Sequence, residues 1–209
     1  VLLAIDTSAG SSVAVVTLGG EVLAERSSDD PMRHAEVIGT LIAGCLDDAG
    51  IEVAALTGLV AGMGPGPFTG LRIGIAAARS FGIGASLPVH PVVSHDAIAL
   101  DAYRSGSAAP DATLLVVTDA RRRERYWTSY AGLDAAGLPV RVQGPALAKP
   151  DDLPTTASVR LDALVVPAGA LGQVASALLA TDGGFAGEEP LYLRSPDVTM
   201  SAGAKRVTA

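Results

Sequence analysis

Three stretches of the chain combine residue types that could do chemistry. Asp6-Thr7-Ser8 follows the apolar run Leu2–Ile5, which puts a carboxylate and two hydroxyls at a strand end. Such a set can hold a hydrated metal and phosphate oxygens. The same side chains also close turns by bonding local backbone. The second stretch, GMGPGPFTGLRIG from Gly62 to Gly74, packs five glycines and two prolines into a turn and the start of a helical pattern. Backbone N–H groups at a helix start attract anions, and Arg72 adds charge. No Lys-Ser/Thr pair follows, and the glycine gaps are not those of G-x-G-x-x-G, so neither phosphate-loop signature is present. The third stretch is DARRRERYW, Asp119 to Trp127. A phosphate-cradling hairpin wants glycines for close backbone approach, and Arg121, Arg122 and Arg123 stand there instead. They could clamp an anion or pair with Glu124 and other acids on a solvated face.

Other chemistry is thin. His34, His90 and His95 form no H-x-x-x-H pair, so no helix-borne zinc site is offered. There is no G-x-S-x-G elbow. Cys45 falls on the apolar side of a helical pattern and reads as core. Asp47 and Asp48 are adjacent on a helix and point different ways.

These stretches sit in a repeated order of elements. Leu2–Ile5, Val13–Leu18 and Glu21–Ala24 read as three strands, with Gly19-Gly20 as a hairpin signal. Asp29, Asp30 and Pro31 offer helix-start chemistry ahead of His34–Asp48, and Gly50 offers a stop. Leu59–Ala61 reads as a buried strand, Gly70–Gly84 as a helix and Val89–Val93 as extended; Ser94–Tyr103 reads as a helix capped by Ser94. After the small-residue linker Ser105–Asp111 the order begins again. Thr113–Thr118, Glu124–Tyr130 and Leu138–Val142 read as strands, then Leu164–Val166 as another, then Ala168–Leu179 as a helix. Both halves open on an apolar strand ending in aspartate, LLAID and LLVVTD. The expectation is an α/β protein of two lobes, each of βββαβα type: residues 1–105, residues 106–198, and a mobile tail at 199–209.

Gly70, Gly74, Ala78 and Gly82 recur every fourth residue and line one stripe of a helix. Glycine costs about 0.8–1 kcal/mol against alanine at each helix position, so close backbone approach must offset it. The stripe could face this chain's own sheet or a helix of another chain. Gly39, Ala43 and Gly44 make the first helix similarly small.

The 209 residues are 49% hydrophobic and 18% charged, which suits a packed globule. A net charge of −7 opposes a dominant nucleic-acid site, although the arginine run permits a minor contact. No apolar run reaches membrane-spanning length, the N-terminus reads as a strand rather than a leader, and the single cysteine suits a reducing cytoplasm.

Together, LLAIDTS…SVAVV, Glu25-Arg26, RHAE, AGMGPGPFTGLRIG, DARRRERYW and PLYLRSPDV resemble the TsaB (YeaZ) family of the tRNA threonylcarbamoyladenosine machinery, in the right order over nearly the whole chain. The resemblance implies the two-lobed actin, sugar-kinase and Hsp70-ATPase fold. It implies a non-catalytic partner of a TsaD-like transferase, joined by a TsaE-like P-loop ATPase and self-pairing when alone. It further implies no required cofactor, no metal, no membrane contact, and tRNA met only indirectly. Asp6, Thr7, Ser8, Gly64, Gly66 and Asp119 then mark a relic cleft retaining weak ATP or ADP binding. The pairing surface is expected at His34, Val37, Leu41, Gly70, Leu71, Gly74, Ile75, Ala78 and Arg79, with Gly74→Leu blocking pairing in a folded monomer. An active ATP-dependent phosphotransferase or ATPase of the same fold is the competing function. Two departures from the family pattern are Pro67, which lacks an N–H where serine is usual, and Ala35 after the histidine.

Overall fold

A computed structural model describes residues 1–28, 30 and 33–194. The strands β1 (Leu2–Asp6), β2 (Ser11–Val16) and β3 (Val22–Ser28) form an antiparallel meander. Helix α1 (His34–Ala49) leads to β4 (Gly58–Gly62), which pairs parallel to β1. Helix α2 (Phe68–Ala85) leads to β5 (Val89–Val92), parallel to β4, and then comes α3 (Ser94–Arg104). The first sheet thus has the order β3-β2-β1-β4-β5. The chain continues with β6 (Thr113–Asp119), β7 (Arg125–Leu133), β8 (Pro139–Ala148), β9 (Val159–Asp162) and α4 (Ala168–Ala180), giving a second sheet ordered β8-β7-β6-β9. Each sheet opens with three antiparallel strands and then adds parallel ones, two in the first sheet and one in the second, the doubled α/β architecture expected. Where the first unit has α1, the second has only a short turn of 3₁₀ helix at Pro150–Asp152.

Alternation along the strands builds four layers. Leu3, Ile5, Val13 and Val15 pack with Ile38, Leu71 and Ile75 of α1 and α2. Their neighbours Leu2, Ala4, Ala14 and Val16 point the other way, into α3 and α4. Leu114 and Val116 of β6 close the same core from the second sheet. Helices α3 and α4 therefore lie between the sheets, and burial on both faces explains the unbroken apolar runs of β1 and β2. Gly172 lets α4 pack closely on β2: a Cβ there would meet Val16 at 2.5 Å.

Gly50 ends α1 in the left-handed conformation, with the Ile51 N–H returning to the Leu46 carbonyl at 3.0 Å. Two local expectations are corrected. Leu164–Val166 is a turn rather than a strand; the ladder is made earlier, by β9. Val166 is buried in the core between the sheets, where its carbonyl accepts from the Ser12 hydroxyl at 2.6 Å and its N–H donates to the Ala9 carbonyl at 3.2 Å. Ser94 does not cap α3; Val93 holds that position and Ser94 is the first helical residue. The helix-start residues Asp29 and Pro31, the tail 199–209 and residues 195–198 before it lie outside the described residues.

Candidate functional site

Asp6 ends β1 in the middle of the first sheet and is 1% exposed. Its Oδ1 accepts from the Ser8 backbone N–H at 2.7 Å and the Ser8 hydroxyl at 2.6 Å. Its Oδ2 accepts from the Ser94 hydroxyl at 2.5 Å, and Ser94 in turn accepts from the Gly64 N–H at 2.9 Å. Burial raises the Asp6 pKa, while the bonds from Ser8 and Ser94 pull it back. Both carboxylate oxygens are thus engaged by this chain. The Ser94–Asp6 link spans 88 residues and leaves no sequence signal; it ties the start of α3 to the end of β1.

Thr7 enters α2. Its hydroxyl donates to the Gly70 carbonyl at 2.6 Å and accepts from the Gly74 N–H at 2.8 Å. A Cβ on Gly70 would meet the Thr7 carbonyl at 2.7 Å, and one on Gly74 would overlap the Thr7 hydroxyl. A Cβ on Gly66 would meet the Ser8 backbone at 2.7 Å. The glycine-rich turn therefore cradles the chain's own Asp6–Ser8 loop. Of its two readings, the inward one describes this structure.

The expected pairing residues separate accordingly. Gly70, Leu71, Gly74, Ile75 and Ala78 are buried against the first sheet, and His34 is buried with Nδ1 2.7 Å from the Ser11 hydroxyl. Val37 and Leu41 are half-buried. Arg79 is exposed and donates to the Glu188 carbonyl at 2.5 Å. The expectation for Gly74→Leu is corrected: the added side chain would strike Thr7 inside the protein, so it tests folding rather than pairing. The outward faces are instead Ala35, Gly39, Thr40 and Ala43 on α1, and Thr69, Ala76, Ser80 and Ile83 on α2. A Cβ on Gly39 would meet nothing within 4 Å, and Ile83 is 82% exposed.

A cleft of about 620 Å³ lies between the start of α1, the start of α2 and the second sheet's first hairpin. Ser8, Gly10, His34, Thr69, Asp119 and Arg121 line it, with Ile73, Ala163 and Leu164 as apolar wall. Burial lowers the His34 pKa, and the Arg121 charge lowers it further. Asp119 is exposed and ion-paired to Arg125. In the hairpin the Glu124 N–H bonds the Arg121 carbonyl at 3.0 Å, and φ is +64° at Arg121, +48° at Arg122 and +63° at Arg123. Positive φ at both central residues is type I′ geometry, which Asn-Gly favours. Non-glycine residues lose roughly 1–2 kcal/mol each in this region. Arginine therefore occupies three positions that the backbone disfavours for it.

Among the described residues, no three His, Cys, Asp or Glu gather as a metal set, and no helix is long and apolar enough to cross a membrane. Cys45 is buried, its thiol bonding the Val13 and Ala24 carbonyls and its pKa raised by burial.

A family model described as TsaD: tRNA N6-adenosine threonylcarbamoyltransferase matches residues 22–165. An uncharacterized Mycobacterium leprae protein is 40% identical over 157 residues, covering 73% of this chain and 40% of that protein. The Escherichia coli tRNA threonylcarbamoyladenosine biosynthesis protein TsaB is 33% identical over 129 residues, covering 62% of this chain and 54% of its own length. The chain thus spans about half or less of these two relatives. The solved structure of YeaZ from Pseudomonas aeruginosa superposes with a TM-score of 0.74 at 26% identity, covering 87% of this chain and 92% of that one. The match over most of the chain, the shared motifs and the shared two-sheet fold place this chain in the TsaD-related family, on its TsaB (YeaZ) branch.

Proposed function

We propose that the chain serves the formation of N6-threonylcarbamoyladenosine in tRNA as a non-catalytic partner, docking a TsaD-like transferase through the outward face of α1 and α2. The observation that carries this reading is the pair of opposite helix faces. The inward face is consumed by Thr7 and the first sheet. The outward face presents Ala35, Gly39 and Ala43 four residues apart, with open space over Gly39. Small side chains let a partner's helices approach closely, and interaxial distance follows the side chains at the contact. The names of the E. coli relative and of the family model support the tRNA modification and the identity of the partner. On this reading the chain self-pairs through the same face when alone, a TsaE-like ATPase joins the pair, and the assembly works in the cytoplasm. The cleft beside Gly70 retains at most weak ATP or ADP binding, because both Asp6 oxygens are already bonded within the chain.

Co-expression with the cell's TsaD-like protein, followed by size-exclusion chromatography, tests it. One peak containing both chains is expected. Separate elution, or steady ATP hydrolysis by the isolated chain, would overturn the reading.

A further inference from the structure

We propose that the arginine hairpin between β6 and β7 is an RNA contact, gripping the phosphodiester backbone of the tRNA beside the pairing face. This inference rests on the tRNA-modification reading and goes past it, since that reading gives this chain no contact with tRNA of its own. Three observations lead to it. First, Arg121, Arg122 and Arg123 are all exposed, although the chain carries −7 overall. With Arg125, Arg194, Asp119 and Glu124 the hairpin region sums to +3, since Arg194 donates to the Ala120 carbonyl at 3.0 Å and lies 3.6 Å from Glu124. A compact basic patch on an acidic protein supplies the local counterion release that phosphate binding needs.

Second, the backbone argues that the side chains are wanted. All three arginines have positive φ, and a turn of this shape forms more readily with glycine or asparagine. Turn formation does not explain arginine there, and a requirement for guanidinium groups does. Arginine forks match phosphate oxygens in two-point contacts.

Third, the position fits a hand-over. Arg121 lines the cleft that Ala35 of α1 and Thr69 of α2, both on the outward faces, also line. An RNA strand held by the hairpin therefore passes next to the helix face assigned to the transferase. Because the contact is to backbone rather than to base edges, it should be strongly salt-dependent and weakly sequence-dependent.

The test uses the full chain and a fluorescently labelled, unmodified tRNA transcript, with anisotropy followed at rising salt. Wild type should bind at about 50 mM salt, with log K falling linearly against log salt. Arg121→Gly, Arg122→Gly and Arg123→Gly combined should melt no lower than wild type, because glycine suits the backbone. It should bind at least roughly tenfold more weakly, with a salt slope shallower by roughly 2–3, the loss of three phosphate contacts. The triple lysine variant should recover most of the slope. If the glycine variant melts early, the triple glutamine variant gives the same reading. No binding by wild type at low salt, or equal binding by the charge-free variants, overturns the inference. Displacement of the tRNA by millimolar ATP also overturns it, because the hairpin would then be a nucleotide-phosphate clamp. Co-elution of wild type with the TsaD-like protein is scored separately, so the pairing reading can survive failure here.

Discussion

Two helices in this molecule carry small residues every fourth position, and the stripes face opposite ways. On α2, Gly70, Gly74 and Ala78 are buried, and the Thr7 hydroxyl sits between the Gly70 carbonyl and the Gly74 N–H. On α1, Ala35, Gly39 and Ala43 face outward, and Gly39 has open space before it. The spacing is the same, so spacing cannot decide direction. The flanking residues do. Leu71 and Ile75 adjoin the α2 stripe and drive it inward with them. On α1 the large side chains Ile38, Leu41 and Ile42 pack into the core, leaving the small stripe outside. The inner glycines purchase proximity within the fold; the outer ones leave room for another molecule.

The sharpest way to break this contrast is to enlarge the inner stripe. Gly74→Leu should lower stability by roughly 4 kcal/mol, combining overpacking against Thr7 with loss of the bond that Thr7 accepts from the Gly74 N–H. Urea unfolding monitored by far-UV circular dichroism measures it. A variant within about 1 kcal/mol of wild type would mean that the inner stripe has slack and that the contrast is false.

Sequence reasoning found the elements better than their directions. Periodicity located α2 to within two residues at its start and one at its end. It misplaced β9, because Val159 and Leu161 alternate with the ion pair Arg160–Asp162 and look weak, whereas the apolar loop Leu164–Val166 looks like a strand although only Val166 is buried and Leu164 is exposed. The three-residue set Asp6-Thr7-Ser8 was legible as a turn or a ligand cradle. Only tertiary structure brings Ser94 to Asp6 and Gly74 to Thr7, and those bonds give Asp6 and Thr7 partners within the fold. The arginine run was visible, but its left-handed backbone was not, since arginine itself argues against positive φ.

The contrast sharpens if the interior is weakened without touching either helix. His95 on α3 is fully buried between the hydroxyls of Thr128, at 2.7 Å, and Thr118, at 2.9 Å, on the second sheet. Burial, aided by the Arg141 charge, lowers its pKa to about 3. The folded state therefore holds a neutral imidazole, while the unfolded chain takes up a proton near pH 6.5. A depressed folded pKa contributes stability that is complete above pH 6.5 and is lost as pH falls toward 3. By about pH 4.5 the loss should be about 2–3 kcal/mol. Asp96, raised by burial, acts in the opposite sense, so the difference between wild type and His95→Gln isolates the histidine. Glutamine both donates and accepts, as neutral imidazole does. Urea titrations at pH 7 and pH 4.5 should show a smaller acid loss in the variant; equal losses would remove His95 from the account.

The smallest effect on stability belongs to the outer stripe, and it discriminates best. Gly39→Leu places its side chain in open space, so nothing in the folded chain opposes it. Replacing a mid-helix glycine should raise stability by up to about 0.8 kcal/mol through helix propensity. Pairing should respond in the opposite direction. A leucine there adds four carbons to a face whose use depends on close helix approach, and it should hold a partner's helices apart. The expected result is an unchanged or higher melting temperature together with loss of the joint peak with the TsaD-like protein. A variant that co-elutes as wild type does would put the docking surface elsewhere, and the outer stripe would then be solvated helix. A variant that fails to fold would contradict the open space over Gly39, on which the contrast between the two stripes depends.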